Sequence, residues 1–220
     1  MSIDRLKYQQ IQDALSPKSV TLVAVSKTKP VPDIAALYAL GQRDFGENYV
    51  QELTEKQGQL PTDIRWHFIG HLQSNKVKYI ASFVHLIHGV DSLKLLKEIN
   101  KQATKHQRVI DVLLQMHIAQ EETKFGLDEQ ELVQLLEAIR HEPLPNVRIC
   151  GLMGMASFSD NASLVRSELK GLKAIYDQYA NRAPVEMSIL SMGMSGDYQI
   201  AVEEGSTMVR IGSLLFGSRG

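Results

Sequence analysis

Eight short apolar runs recur along the chain, at residues 21–25, 43–46, 64–69, 84–88, 109–117, 148–153, 187–191 and 207–211. After an opening amphipathic helix over about 3–15, stretches with the 3.6-residue period of a helix fall between them, at 31–40, 49–57, 92–106, 128–141 and 163–181. Strands that alternate with helices pair in parallel through right-handed crossovers. Eight of them are the number that closes a (β/α)8 barrel, and 220 residues lies near the lower size of that fold. An open doubly wound sheet is the rival, but it uses fewer strands and needs a glycine turn after the first one. The turn here, Ser26-Lys27-Thr28-Lys29-Pro30, has no glycine. No Pro/Gly/Ser linker, charge block or low-complexity stretch divides the chain. The pattern therefore predicts an α/β protein, a single TIM-like (β/α)8 barrel spanning residues 1–220 as one domain.

Charge narrows the partners. With 24 basic and 25 acidic side chains, a formal net charge of −1, the chain has no field to attract nucleic acid or an anionic membrane. A small molecule or a protein is the expected partner. The first ten residues hold Asp4, Arg5 and Lys7 and no apolar leader core, and no run of about eighteen apolar residues occurs, so a cytoplasmic protein is expected. The single Cys150 sits in an apolar stretch and reads as a buried hydrophobe rather than a nucleophile.

A barrel builds its site at the carboxyl ends of its strands, and the unusual polar residues collect there. Lys27 follows the first strand. Burial at such a position lowers an ammonium pKa and frees the amine to attack a carbonyl, although a lysine can also simply end a strand. Strand seven runs into Ser191-Met192-Gly193-Met194-Ser195 and strand eight into Val209-Arg210-Ile211-Gly212-Ser213. Glycine and serine there let backbone N–H groups approach an anion, with the start of a following helix adding to the attraction, and barrels often hold phosphate at that corner. The alternative is that Gly193 and Gly212 serve tight turns only. Arg210, inside an apolar stretch, needs an acceptor in the barrel mouth: either a carboxylate such as Glu47 or a heterocyclic nitrogen. His67 and His71 lie four apart, the spacing of a metal pair, but Gly70 between them breaks a helix and no third ligand is evident, so no metal is expected. The methionines Met153, Met155, Met192 and Met194 read as barrel packing.

A reactive lysine, a phosphate corner and an arginine facing a ring nitrogen together describe a pyridoxal 5'-phosphate (PLP) site with the lysine as Schiff base. On the stretches Ala24-Val25-Ser26-Lys27, Phe45-Gly46-Glu47-Asn48-Tyr49-Val50-Gln51-Glu52, His67-Phe68-Ile69-Gly70-His71-Leu72-Gln73-Ser74-Asn75-Lys76, Gly151-Leu152-Met153, Leu190 to Ser195 and Val209 to Gly212, the sequence resembles the YggS/PROSC family of PLP-binding (PLP homeostasis) proteins. That family is related to the alanine racemase N-terminal barrel, the fold-type III PLP barrel. The resemblance implies Lys27 as the lysine that carries the cofactor, Ser191, Gly212 and Ser213 near the phosphate, Arg210 at the pyridine nitrogen and Asn48 beside the ring. With Met155 and Gly193 these form the candidate cofactor-binding set, and no residue is assigned as catalytic. Lys76 and Lys124 fall in family-like stretches and are candidates for a second, looser contact. The sequence departs from the family pattern at Asp197-Tyr198, where a methionine is expected after the aspartate, and at the short tail. Asp197 and Glu203 are expected to face solvent on a short crossover helix.

A guanidinium is a pure donor that keeps the pyridine nitrogen unprotonated, so the ring is a weaker electron sink than one facing a carboxylate. The racemases that this barrel resembles draw a second base, a tyrosine, from an additional β domain, and the sequence stops eight residues after Gly212. The expectation is a carrier in intracellular PLP homeostasis without appreciable catalysis, monomeric, handing the cofactor to apo PLP-dependent enzymes. The alternatives are a PLP-dependent racemase or decarboxylase, and a phosphate-binding barrel that uses Lys27 on a sugar-phosphate carbonyl.

Overall fold

In a computed structural model, which describes residues 3–119, 125–182 and 185–217, eight parallel strands close in sequence order into one barrel. The strands are β1 (Thr21–Val25), β2 (Asp44–Glu47), β3 (Arg65–Phe68), β4 (Leu86–Val90), β5 (Ile110–Met116), β6 (Val147–Gly154), β7 (Ile189–Ser191) and β8 (Met208–Ile211). β8 pairs with β1 through Leu22↔Val209 and Val23↔Arg210 and seals the ring. The helices are α1 (Arg5–Leu15), α2 (Val31–Ala39), α3 (Val50–Gln57), α4 (Val77–Ile80), α5 (Leu93–Lys105), α6 (Glu129–His141), α7 (Ala162–Tyr179), α8 (Tyr198–Glu203) and α9 (Ser213–Phe216).

Each strand is covered on both faces, as a parallel barrel demands. Leu22, Ala24, Phe45, Ile87, Val112 and Leu114 point outward into the shell formed with Ile34, Leu37, Leu53, Leu96 and Leu132 of the helices. The lumen holds a separate apolar cluster of Val23, Leu86, Leu113, Cys150, Met153 and Met208. The Cys150 thiol is buried there and its pKa is raised, mainly by burial, in keeping with a packing role. Local signals start the longer helices: Ser92 caps α5, Asp128 and Glu131 form a capping box on α6, and Asn161 caps α7. No described helix is long and apolar enough to cross a membrane.

Element boundaries moved where a backbone group found a better partner. β7 begins at Ile189 rather than 187, because the Met187 N–H bonds back to the Ala180 carbonyl at 2.8 Å and ties that residue to the end of α7. The helix after β8 is one turn long, so the anion corner has no extended helix behind it.

Candidate functional site

At the carboxyl end of the barrel lies a cavity of about 710 Å³ whose wall includes Lys27, Asn48, Met155, Arg210, Gly212 and Ser213. Six of the eight residues expected from the sequence therefore meet in one place.

Lys27 is held by its neighbours. The Ser26 hydroxyl donates to Glu47 Oε1 at 2.6 Å, and Lys56 Nζ donates to Ser26 O at 2.7 Å, Glu47 Oε1 at 2.7 Å and Glu52 Oε1 at 2.6 Å. On the other side, the Thr28 N–H donates to the same Glu52 oxygen at 2.6 Å. Thr28 has φ +64°, a left-handed conformation that costs a β-branched residue about 1–2 kcal/mol and is retained because that bond fixes it. The turn that carries Lys27 is thus clamped before and after the lysine. Burial raises the Glu47 pKa, against the opposing pull of Lys56 and Ser26. Lys29, also in the cavity wall, donates to the carbonyls of Phe216 and Gly217 at 3.1 and 3.3 Å and anchors the segment after β8.

Arg210 is buried, and its carboxylate alternative fails: Glu47 faces Lys56 outside the lumen, not Arg210. Its NH1 donates to Ser191 O at 2.9 Å and Ser191 Oγ at 2.5 Å, and its NH2 donates to Gly154 O at 3.1 Å. Among the described residues these contacts take three of the five guanidinium donors, and Arg210 lines the cavity. Burial lowers its pKa to about 10, partly offset by the charge of Asp197, so it remains a cation at neutral pH.

The corner expected to hold an anion is built by β8 and the turn after β7. The Leu215 and Phe216 N–H groups both return to the Gly212 carbonyl, so the N–H groups of Ser213 and Leu214 precede the first intrahelical bond of α9. Gly212 sits close to β1: a Cβ on it would lie 3.1 Å from the Val25 carbonyl oxygen. Its N–H donates to Ser195 Oγ at 3.3 Å. Asp197 does not face solvent freely as expected; its carboxylate accepts from the Met194 N–H at 2.6 Å and fixes the turn that presents Ser195. Glu203 is exposed and pairs with Arg166.

Two expected residues stand apart from the cavity. Ser191 is fully buried in the lumen, where its hydroxyl meets Arg210 and His88 Nδ1, the latter at 3.1 Å. Gly193 is buried beneath the wall with φ +98°, and a Cβ there would meet Ala201 Cβ at 2.6 Å, which explains the glycine as a close packing of α8 on β7. Ser195 takes the cavity position. Its signal was present in the same Ser-Met-Gly-Met-Ser stretch, but only the register decides which serine reaches the mouth.

His67 and His71 diverge, the first into the lumen and the second to the surface, where it stacks on Phe125 at 4.3 Å. Asp44, His67 and His85 bring ligand atoms within 4.8 Å of one another, but Arg65 already holds both Asp44 oxygens, at 2.7 and 2.5 Å. Lys76 is exposed beside Tyr79 and outside the cavity wall; Lys124 lies outside the described residues.

Fold and cavity together define a (β/α)8 barrel with a cavity at the carboxyl ends of its strands, lined by Lys27 and Arg210. Residues 5–220 match the family described as alanine racemase, N-terminal domain, and the chain belongs to that family. It is 43% identical over 199 residues to the pyridoxal phosphate homeostasis protein of Aquifex aeolicus (strain VF5), spanning 90% of this chain and 86% of that one. PipY of Synechococcus elongatus PCC7942, 36% identical, superposes with a TM-score of 0.90 in its structure without PLP and 0.87 in its structure with PLP bound, over 96% of this chain and 98% of that chain. An alanine racemase from Bartonella henselae, 18% identical, shares the fold at a TM-score of 0.73 over 94% of this chain and 56% of that chain.

Proposed function

We propose that this protein binds PLP and serves PLP homeostasis in the cell as a carrier, without appreciable turnover of amino acids. One observation carries the assignment: a clamped lysine, a buried guanidinium with donors to spare and a serine- and glycine-built anion corner share one cavity. The donor set fits the cofactor. Asn48 Oδ1 is buried and, among the described residues, without a hydrogen-bond partner, which suits a group that meets a ligand edge.

In this assignment Lys27 would hold the cofactor through its aldehyde. Ser195 and the backbone N–H groups of Ser213 and Leu214, at the Gly212 turn, would hold its phosphate. Arg210 would be the donor toward its ring nitrogen, and Met155 and Asn48 would border it. Bound PLP supplies an electron sink for carbanions at an amino-acid α-carbon. Arg210 opposes that chemistry, because a guanidinium donates to the ring nitrogen without protonating it. The described cavity wall carries no tyrosine or histidine; besides Lys27 and Arg210 its ionisable groups are Asp160, Asp197, which accepts from the Met194 N–H, and Lys29, which donates to the Phe216 and Gly217 carbonyls. The names of the relatives support the homeostasis role; within this reading the protein works in the cytoplasm and hands PLP to apo PLP-dependent enzymes.

The test is reduction of the PLP-loaded protein with borohydride followed by peptide mapping. Label on Lys27, lost in Lys27→Ala, is expected; label confined to Lys29, Lys76 or Lys124 would refute the site.

A further inference from the structure

A barrel lumen is normally filled with branched apolar side chains, yet this one holds a file of polar groups from floor to mouth. His67 and His88 are 1% and 0% exposed, and Ser191 is fully buried. Such groups are costly to bury unless each is bonded to the next. They are. At the floor, Arg65 grips the Asp44 carboxylate, and Asp44 Oδ1 lies 3.0 Å from His67 Nε2. His67 Nδ1 lies 3.0 Å from His88 Nε2, and His88 Nδ1 lies 3.1 Å from Ser191 Oγ. Ser191 Oγ in turn meets Arg210 NH1 at 2.5 Å, at the mouth.

With both imidazoles neutral, the two ends leave this file a single direction. Burial raises the Asp44 pKa, but hydrogen bonds from Arg65 and His67 overcome that and hold the carboxyl well below its ordinary range, so it only accepts. His67 Nε2 therefore carries a hydrogen. With neutral rings, His67 Nδ1 is bare and accepts from His88 Nε2–H; His88 Nδ1 is then bare and accepts the Ser191 hydroxyl. Ser191 Oγ is left to accept from Arg210, which can only donate. Every hydrogen in the file points toward Asp44, and no member competes with its neighbour.

We propose that Asp44, His67, His88 and Ser191 are a directional hydrogen-bond relay that positions Arg210 toward the ring nitrogen of bound PLP, which rests on the assignment of Arg210 given above. Asp44, His67 and His88 are positioning residues: they act through Ser191 and Arg210 and touch no ligand. Ser191 uses both its carbonyl and its hydroxyl on one guanidinium nitrogen, and Gly154 O takes the other, so rotation about the guanidinium plane is blocked. A carboxylate directly on Arg210 would occupy the donors that the ring needs. Setting the anion three side chains away orients the guanidinium and leaves those donors uncovered.

The experiment compares PLP with 1-deazapyridoxal 5'-phosphate, in which C–H replaces the ring nitrogen. Wild-type protein should bind the deaza compound about tenfold more weakly, the effect of one lost hydrogen bond to a charged donor. His88→Leu, which deletes both relay bonds at similar volume, should weaken PLP about tenfold, leave the deaza compound within about twofold, and shift the visible absorption band of bound PLP. His88→Gln, whose amide supplies an N–H donor group and an oxygen acceptor in place of the two imidazole nitrogens, should restore most of the PLP affinity. Asp44→Asn should act in the direction of His88→Leu from the far end of the barrel. Equal losses for both ligands in His88→Leu would mark general damage to the fold and overturn the relay, as would unchanged PLP binding. Equal wild-type affinity for the two ligands would instead remove the Arg210 assignment on which the relay stands. Should His88→Leu fail to fold, the wild-type low-field imidazole N–H resonances decide: movement on adding PLP but not the deaza compound supports the relay, and no movement with either overturns it.

Discussion

Lys56 is the residue whose loss should reveal how the Lys27 turn is held. Its ammonium and the Glu47 carboxylate are 7% and 0% exposed as side chains, and the same nitrogen reaches Ser26 O and Glu52 Oε1. Lys56→Met keeps the apolar stem and deletes the charge. Glu47 would then stay buried with the Ser26 hydroxyl on one oxygen and, among the described residues, nothing on the other. Removing one partner of a buried pair costs roughly 3–5 kcal/mol. At about 2–4 °C per kcal/mol for a chain of this size, the lower figure predicts a Tm fall of roughly 6–12 °C. The deficit should also depend on pH. Burial already raises the Glu47 pKa, and removing Lys56 raises it further. An acid with a raised folded-state pKa is most favourable to the fold below its unfolded value, about 4.3, and that favour is lost as pH rises through the folded value. The variant should therefore be nearest to wild type in mild acid and furthest from it at pH 8. Urea denaturation of wild type, Lys56→Met and Glu47→Gln/Lys56→Met at pH 5 and pH 8 measures this. The double variant should recover much of the loss, since it removes the stranded charge. A deficit under about 1 kcal/mol, or one equal at both pH values, would show that the pair is no more than a surface contact and refute the reasoning.

Two further outcomes follow from the cavity. Pyridoxal, lacking the phosphate, should bind at least about a hundredfold more weakly than PLP, because each charge-assisted hydrogen bond is worth roughly 1.5–3 kcal/mol. Gly212→Val, whose Cβ would press on the Val25 carbonyl of β1 at 3.1 Å and displace the turn that carries the Ser213 and Leu214 N–H groups, should narrow that ratio. Equal affinity of wild type for the two ligands would remove the phosphate site. Deuterium exchange at the α-carbon of a panel of L-amino acids should stay near the rate given by free PLP, since a positioned base ordinarily contributes about 10²–10⁴. Turnover of several per second with any of them would replace the carrier by an enzyme.

The barrel was legible in the sequence because its evidence is periodic. Thr21–Val25 and the helix beginning at Val31 fall where the pattern put them, and capping residues such as Asp128 mark their helices locally. Lys27, Arg210 and Gly212 were legible for a related reason: each breaks an apolar run at the carboxyl end of a strand, where a barrel places its chemistry. What depends on the direction of single side chains was not. Ser191 and Ser195 are two residues of one type in one short stretch, and pairing of Ser191 with Met208 turns the first into the lumen while the turn fixed by Asp197 lifts the second to the mouth. Glu47 was an acceptable partner for Arg210 by charge, but successive strand residues face opposite ways, and Glu47 points out to Lys56 on α3. The lumen file was hidden for the same reason. His67 and His88 are 21 residues apart and Ser191 a further 103, separations that no local pattern connects. Only closure of the sheet brings β4 within reach of β7 across the lumen, so a polar group that looks like an isolated flaw in each apolar strand becomes a member of one bonded chain once the ring is shut.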